Sequence, residues 1–408
     1  MMGGMAQGEQ HVRESDANRL GCTIDGNDLR VIAHGPDLRA ALIELIGSAR
    51  KSLKLFYYIF AADGSGRMVL DALIAARRRG VAVTLMLDAF GSSLTPTAFF
   101  APLREAGGEV AWFGSGWSIR YLIRNHQKMA IADDARALIG GFNVADDYFR
   151  PVSDNGWDDL GLLIEGPDVA PLAHWFHLLS QWTGGVKSRF RRLRAMVQGW
   201  RPGVGRIQWL IGGPTYRLSP WARMVRSDLE SARRLDMIAA YFTPGQQMLR
   251  QLREVGWRAQ TAGEGARLIL PARSDNGATI AASRLLYGPL VRHGVEICEY
   301  LPGKLHMKLI VIDDAVYIGS ANFDMRSLFL NLELMLRIED AGFAQSMRGF
   351  VDARAHDSLR ITPDVLQARK RPWRLLKGWV SYFLVAVLDY TVTRRLNFRD
   401  SVPPVDRP

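Results

Sequence analysis

The chain has 408 residues, is 48% hydrophobic and carries a formal charge of +11. That length suits two ordinary domains or one large duplicated one, and the composition excludes low-complexity disorder over most of the chain. The positive balance points to an anionic partner surface, either nucleic acid or acidic lipid.

The basic residues are 44 Arg and 8 Lys. Codon composition is the larger cause of that bias, although the arginine fork also suits phosphate. Cys22 and Cys298 are the only cysteines, and neither sits in a CxxC or zinc spacing. No disulfide framework is expected, which fits a reducing compartment.

In chain order, residues 1–19 are polar, lack the apolar region of a signal peptide and are expected to be flexible. A first domain is expected over 20–186. Within it, "SARKSLKLFYYIF" (Ser48 to Phe60) predicts a helix end and a strand. "MVLDALIAARRRGVAVTLMLD" (Met68 to Asp88) predicts a helix then a strand, and "FFAPLREAGGEVAWF" (Phe99 to Phe113) the same again. "NHQKMAIADDARALIGGFN" (Asn125 to Asn143) predicts a strand, a turn and a second strand. "HWFH" (His174 to His177) has a metal-like spacing without further ligands and reads as a helix turn.

Residues 187–217 are expected to connect the halves. Their run from Lys187 to Arg206 holds seven basic residues and no acidic one. It suits either a solvated basic face or contact with anionic headgroups. A second domain, 218–361, then repeats the first. "SARRLDMIAAYF" (Ser231 to Phe242), "QMLRQLREVGWRAQTAGEGARLILP" (Gln247 to Pro271) and "LLYGPLVRHGVEICEY" (Leu285 to Tyr300) follow in the same order. "LHMKLIVIDDAVYIGSANF" (Leu305 to Phe323) closes the repeat. The predicted fold class is α/β, with two pseudo-duplicated domains, each a mixed sheet flanked by helices, and a site at their interface.

The two closing segments share a pattern. His126, Lys128 and Asp133 recur as His306, Lys308 and Asp313, and Gly140-Gly141 recurs as Gly319-Ser320. On a strand, His126 and Lys128 share one face, while Met129 and Ile131 face the core. His306 and Lys308 do likewise, opposite Met307, Leu309 and Val311. The aspartates fall where each strand should turn. The small pairs come where a backbone can approach a ligand closely, and Asn143 and Asn322 follow at the strand ends. Two histidines and two lysines meeting across a pseudo-twofold axis would make a phosphate site. The lysines would neutralise phosphoryl oxygens, one imidazole would attack phosphorus, and the other would serve the leaving and incoming alcohols. Lysine and asparagine supply the donors, so no metal or other cofactor is expected.

This pattern resembles the duplicated HxK(x)4D motif of the phospholipase D superfamily. The resemblance runs from about Leu20 to Ile361. It is nearest to the bacterial cardiolipin synthase branch through "RNHQK", "GGFNVADDY", "WDDLGLLIEGP", "YLPGKLHMK" and "GSANFDMRSLFLNLE". The resemblance implies a catalytic set of His126, Lys128, Asp133, His306, Lys308 and Asp313. Asn143, Asn322, Gly141 and Ser320 would support it, and Asp159 and Glu333 would each orient a site histidine. It implies a phosphatidyltransferase that joins two phospholipids through a covalent phosphohistidine, phosphatidylglycerol being the donor. Water as acceptor would make it a phospholipase D instead. A phosphodiesterase acting on nucleic acid is a third reading. The expected partners are anionic phospholipid, a membrane surface, and glycerol or another alcohol; oligomeric state is open. His126 is the expected nucleophile, from the superfamily's tendency.

Residues 362–408 form a basic and apolar tail. Gly378 to Leu388 is an uncharged run of 11 residues between Lys377 and Asp389. It is too short to span a bilayer comfortably and suits an interfacial helix, with Trp373, Trp379 and Tyr382 at the headgroups. No ordinary transmembrane helix is expected. The expected location is peripheral, on the cytoplasmic side of a bacterial inner membrane.

Overall fold

The computed structural model describes residues 20–114, 123–184, 190–215, 217–275, 277–369 and 378–383. The first half carries β1 (Gly21–Ile24), β2 (Asn27–Ile32), β3 (Ser52–Tyr57), β4 (Ala82–Asp88), β5 (Glu109–Phe113), β6 (Met129–Ala132), β7 (Arg136–Gly140), β8 (Trp157–Asp158) and β9 (Gly161–Glu165). The second carries β10 (Ile207–Ile211), β11 (Leu235–Ala239), β12 (Phe242–Thr243), β13 (Ala266–Pro271), β14 (Val295–Tyr300) and β15 (Lys304–Leu305). It continues with β16 (Lys308–Ile312), β17 (Ala315–Gly319), β18 (Phe323–Asp324), β19 (Leu334–Glu339) and β20 (Ser358–Arg360).

Among the described residues, each half builds an eight-stranded mixed sheet. The orders are β1-β2-β9-β7-β6-β3-β4-β5 and β10-β19-β17-β16-β11-β13-β14-β20. From β2 to β5 and from β10 to β14 the two run in step, with the same parallel and antiparallel pairings. They differ only at opposite edges, where one adds β1 and the other β20. The duplication seen in the sequence is therefore a duplication of topology.

β10 falls within the segment that sequence reading treats as a connector. It is instead the edge strand of the second sheet, paired antiparallel with β19. The helix Phe190–Gly199 before it buries Leu193 and Val197 and leaves Arg191 and Arg192 exposed. The basic run suits a linker or a helix, and the helix is what forms, while the apolar "IQWLI" after it is long enough for a strand.

Three cores hold the layers together. The inner faces of both sheets share one core, in which Met129, Ile131 and Ile139 meet Leu309, Val311 and Ile318 with the helices Val169–Gly184 and Ala341–His356. The outer faces pack separately under their own helices, around Leu53, Leu55 and Leu138 on one side and Met237, Leu268 and Tyr317 on the other. Buried on both faces, β16 and β17 read as nearly unbroken apolar runs.

Each motif ends in a tight turn. Asp133 and Asp134 stand at φ 56° and 58°, and Asp313 at φ 46°, the left-handed region that Asp tolerates better than most residues. The Asp133 carboxylate accepts from the backbone N–H groups of Arg50 (2.9 Å), Lys51 (2.6 Å) and Ser52 (2.9 Å). Asp313 accepts from Arg233 (3.1 Å) and Arg234 (2.9 Å). Each aspartate thus ties its turn to the start of the neighbouring strand. Burial pushes the Asp133 carboxyl up, but the backbone donors outweigh it and hold the group below its ordinary value. Its contribution to stability is therefore present above the ordinary carboxylate range and is lost as pH falls below it. Asp133→Ala should cost about 1–2 kcal/mol, by analogy with a lost cap. Chemical denaturation would show that loss, while the specific activity of the folded fraction stays within about twofold.

No helix among the described residues is long and apolar enough to cross a membrane. Of the tail, only residues 378–383 are described; Trp373 and the rest of the apolar run lie outside the described residues. Gly378 packs against Leu285 of the helix Gly277–Val291, and Trp379, Val380 and Phe383 are exposed.

Candidate active site

The two motifs meet through backbone exchanged between the halves. The His126 N–H donates to the Leu332 carbonyl at 2.8 Å, and the His306 N–H donates to the Asp158 carbonyl at 2.8 Å. Asn125 bridges Leu332, while β15 pairs in parallel with β8. Each histidine is thereby fixed beside the residue that precedes the other half's acid. His126 and Lys128 stand just before β6, and His306 just before β16, rather than within those strands. Their extended backbone still places histidine and lysine on a common side.

The carboxylates cross over as well. His306 Nδ1 lies 2.6 Å from Asp159 Oδ2, and His126 Nδ1 lies 3.6 Å from Glu333 Oε1. Each half therefore orients the histidine of the other, an arrangement that the alignment of Asp159 with Glu333 did not reveal. At 2.6 Å a proton on His306 Nδ1 can be given to Asp159, which would leave Nε2 as the free nitrogen, whereas the 3.6 Å between His126 and Glu333 is an ion-pair distance and not a hydrogen bond.

The small pairs serve these carboxylates. A Cβ on Gly141 would fall 2.4 Å from Asp159 Oδ1, and the Leu160 N–H donates to that oxygen at 2.8 Å. At the equivalent place, Ser320 Oγ donates to Glu333 Oε2 at 2.6 Å. Ser327, which sequence reasoning missed, donates to Glu333 Oε1 at 2.8 Å. Cβ atoms on Gly140 and Gly319 would strike the Leu160 and Leu334 carbonyls, at 2.4 and 2.0 Å. The close approach is thus made by the neighbouring strand and its acid, and not by a ligand.

His126, Lys128, His306 and Lys308 line one cavity of about 340 Å³ between the halves, with Asn143 and Asn322. Asn143 Oδ1 accepts from the Ile59 N–H at 3.0 Å, whereas Asn322 Oδ1 is buried without a partner. Asp133 and Asp313 do not line the cavity. They stand at the turns and accept from the backbone of the neighbouring strand starts.

Aromatic rings wall the histidines. Tyr58 lies 4.2 Å from the His126 ring, and Tyr148 and Trp157 lie 5.2 and 5.3 Å from the His306 ring. Gln127 braces the centre. Its Nε2 donates to the Glu333 carbonyl at 3.2 Å, and the indole of Trp175 donates to its Oε1 at 3.1 Å. Tyr241 also lines the cavity, 6.4 Å from the His306 ring, and the repeated "YIF" and "AYF" strand ends were the available signal for Tyr58 and Tyr241.

Burial sets the protonation states. It holds His126 well below its usual 6.5, reinforced by the charges of Lys128, Arg124 and Lys308. Burial and Lys308 lower His306 to about 4, with Asp159 pulling the other way. Burial lowers Lys308 to about 7, partly offset by Asp159. Burial also lowers Lys128 and raises Glu333, two groups that oppose each other's shift. Lys128 Nζ donates to the His126 carbonyl at 2.6 Å, and Lys308 Nζ donates to the His306 carbonyl and lies 2.7 Å from Nδ1 and 3.0 Å from Nε2 of the same ring. An anionic phosphoryl group between these cations would return the charge stabilisation that burial removed.

Two neutral imidazoles, two depressed lysines and two buried carboxylates, related by a pseudo-twofold axis, define a duplicated site for phosphoryl-group chemistry. The family model described as "Cardiolipin synthase, PLD-like domain" matches residues 42–178 and 225–353. The chain belongs to that family and is an enzyme of the phospholipase D superfamily. It is 30% identical over 370 residues to cardiolipin synthase A of Pseudomonas fluorescens, covering 88% of this chain and 74% of the relative. It is 28% identical over 376 residues to cardiolipin synthase 1 of Bacillus cereus, covering 88% and 72%. Among solved structures, a phosphatidylserine synthase of Haemophilus influenzae superposes with a TM-score of 0.67 at 13% identity, covering 93% of this chain and 99% of that one. That likeness concerns the fold alone.

Proposed function

We propose that the protein is a phosphatidyltransferase of the cardiolipin synthase kind, joining two phospholipids. The carrying observation is the convergence of both histidine–lysine pairs on one cavity of about 340 Å³, in a chain of this family. In the first step His126 Nε2 attacks the phosphorus of phosphatidylglycerol and the bond to the headgroup oxygen breaks. His306, protonated once the anion is bound, gives its Nε2 proton to that oxygen, and glycerol leaves. In the second step a hydroxyl of another phosphatidylglycerol gives its proton to His306 and attacks phosphorus. The P–N bond breaks, and cardiolipin and free His126 result.

The roles are assigned by the unequal carboxylates: Asp159 lies 2.6 Å from His306 and offsets part of the lowering by burial and Lys308, whereas Glu333 stands 3.6 Å from His126, which burial and the surrounding cations keep neutral. The lysines hold the non-bridging oxygens. Incubation with phosphatidylglycerol vesicles should release cardiolipin and glycerol in equal amounts, read by mass spectrometry. Phosphatidic acid alone would mean that the protein hydrolyses; no lipid product would end the lipid reading, and salt-sensitive DNA cleavage would replace it.

The depressed Lys308 predicts the pH profile. Its charge is lost as pH rises through about 7, so kcat/KM should fall on the alkaline side from there. Lys308→Arg, charged at every accessible pH, should remove that limb whatever it does to the maximum. Attachment to the membrane is proposed through the exposed Trp379, Val380 and Phe383, peripherally and on the cytoplasmic face of a bacterial inner membrane. A chain ending at Arg369 that still floats fully with anionic liposomes would rule this out.

A further inference from the structure

The pseudo-twofold relation breaks down at the rim of the cavity. Counted from the paired asparagines Asn143 and Asn322, Arg326 takes the place of Asp147. Counted back from the paired acids, Asn331 takes the place of Trp157. Arg124, Arg326 and Asn331 all line the cavity, while Tyr148 and Trp157 flank His306. The side around His126 therefore carries two arginines and an amide beside Tyr58, where the side around His306 carries Tyr148 and Trp157.

These rim groups are fixed in place. The Arg124 guanidinium lies 4.2 Å over the Phe90 ring, and its carbonyl accepts from the Leu332 N–H at 3.0 Å. Its Nε is buried without an acceptor. The Asn331 N–H donates to the Arg326 carbonyl at 2.9 Å, which ties the two backbones together. Asn331 is only 3% exposed, and its Oδ1 has no partner. An amide can turn to offer its NH₂ there instead. Arg326 lines the same cavity as His126 and Tyr58.

The lysine pair suffices for the phosphorus being transferred. Hydrolysis needs no other anion site, because water carries no charge. Transfer to a second phospholipid differs: the attacking hydroxyl arrives with a phosphodiester of its own, a short carbon chain away. We propose that Arg124, Arg326 and Asn331 form a second anion subsite, beside His126, that holds the phosphate of the accepting phospholipid. This inference rests on the phosphatidyltransferase reading above. It makes these three residues determinants of acceptor choice, positioning the incoming hydroxyl rather than taking part in bond making.

The test sets two acceptors against each other. Full-length protein is given phosphatidylglycerol vesicles containing ethanol, and cardiolipin and phosphatidylethanol are measured together. Ethanol uses the same phosphohistidine but carries no phosphate. Arg326→Gln and Arg124→Gln should each lower the cardiolipin-to-phosphatidylethanol ratio by about tenfold, the worth of one charge-assisted contact to phosphate. Asn331→Asp, nearly isosteric, should lower it at least as much by repulsion, which keeps the test open if an arginine variant folds poorly. An unchanged ratio in all three variants overturns the subsite, since loss of the donor step would lower both products alike. If the wild-type protein forms neither product, the phosphatidyltransferase reading fails instead.

Discussion

His126→Ala should lower lipid turnover by a factor on the order of a million, as expected when a nucleophile that works as part of a unit is removed. His306→Ala should lose about 10² to 10⁴, the usual share of a general acid and base. The two variants separate in a quench experiment with donor labelled at phosphorus. Wild type and His306→Ala should retain label on the protein, stable in alkali and lost in acid, as phosphohistidine is. His126→Ala should retain none. The reverse pattern would exchange the roles. The assignment rests on the 2.6 Å contact of His306 with Asp159, against 3.6 Å between His126 and Glu333.

Asp159→Asn is the second large effect. An amide in place of the carboxylate frees His306 to adopt the wrong tautomer, which costs up to about 10⁴ in turnover in a comparable triad. Glu333→Gln should cost less, on the order of tenfold, because burial already pushes Glu333 up to about 7 and its protonated form resembles the amide. Coupling distinguishes orientation from mere structural support. In a His306→Ala background, Asp159→Asn should cause no further loss. A full additional loss there would show that Asp159 does not act through His306, although the two come from opposite halves.

Much of this was legible in the sequence because duplication made it so. The order of helices and strands, the sheet content and the four converging histidine and lysine side chains follow from two segments read against each other. Three things were hidden, each for a physical reason. The exchange of Asp159 and Glu333 between halves depends on how two sheets pack, and alignment within a half carries no trace of packing between halves. The turns at Asp133 and Asp313 are marked in the sequence, but the backbone donors that their carboxylates accept from belong to a strand start some eighty residues away, and nothing local marks that tie. β10 was obscured because its neighbours are basic, and charge patterning says little about an edge strand whose pairing partner β19 begins more than a hundred residues later.

The crossing of acids and histidines also says something about ancestry and handling. Each half owns one histidine and the carboxylate that the other half's histidine needs, so a lone half is a nucleophile without its orienting group. Two identical halves associating about the same axis would complete each other, and the present chain has the form of such a pair joined end to end. The join is the exposed loop before β10, where Val204 is fully open to solvent. A protease cut there should leave two fragments that stay bound through their common inner core and keep their turnover. Either fragment by itself should be silent.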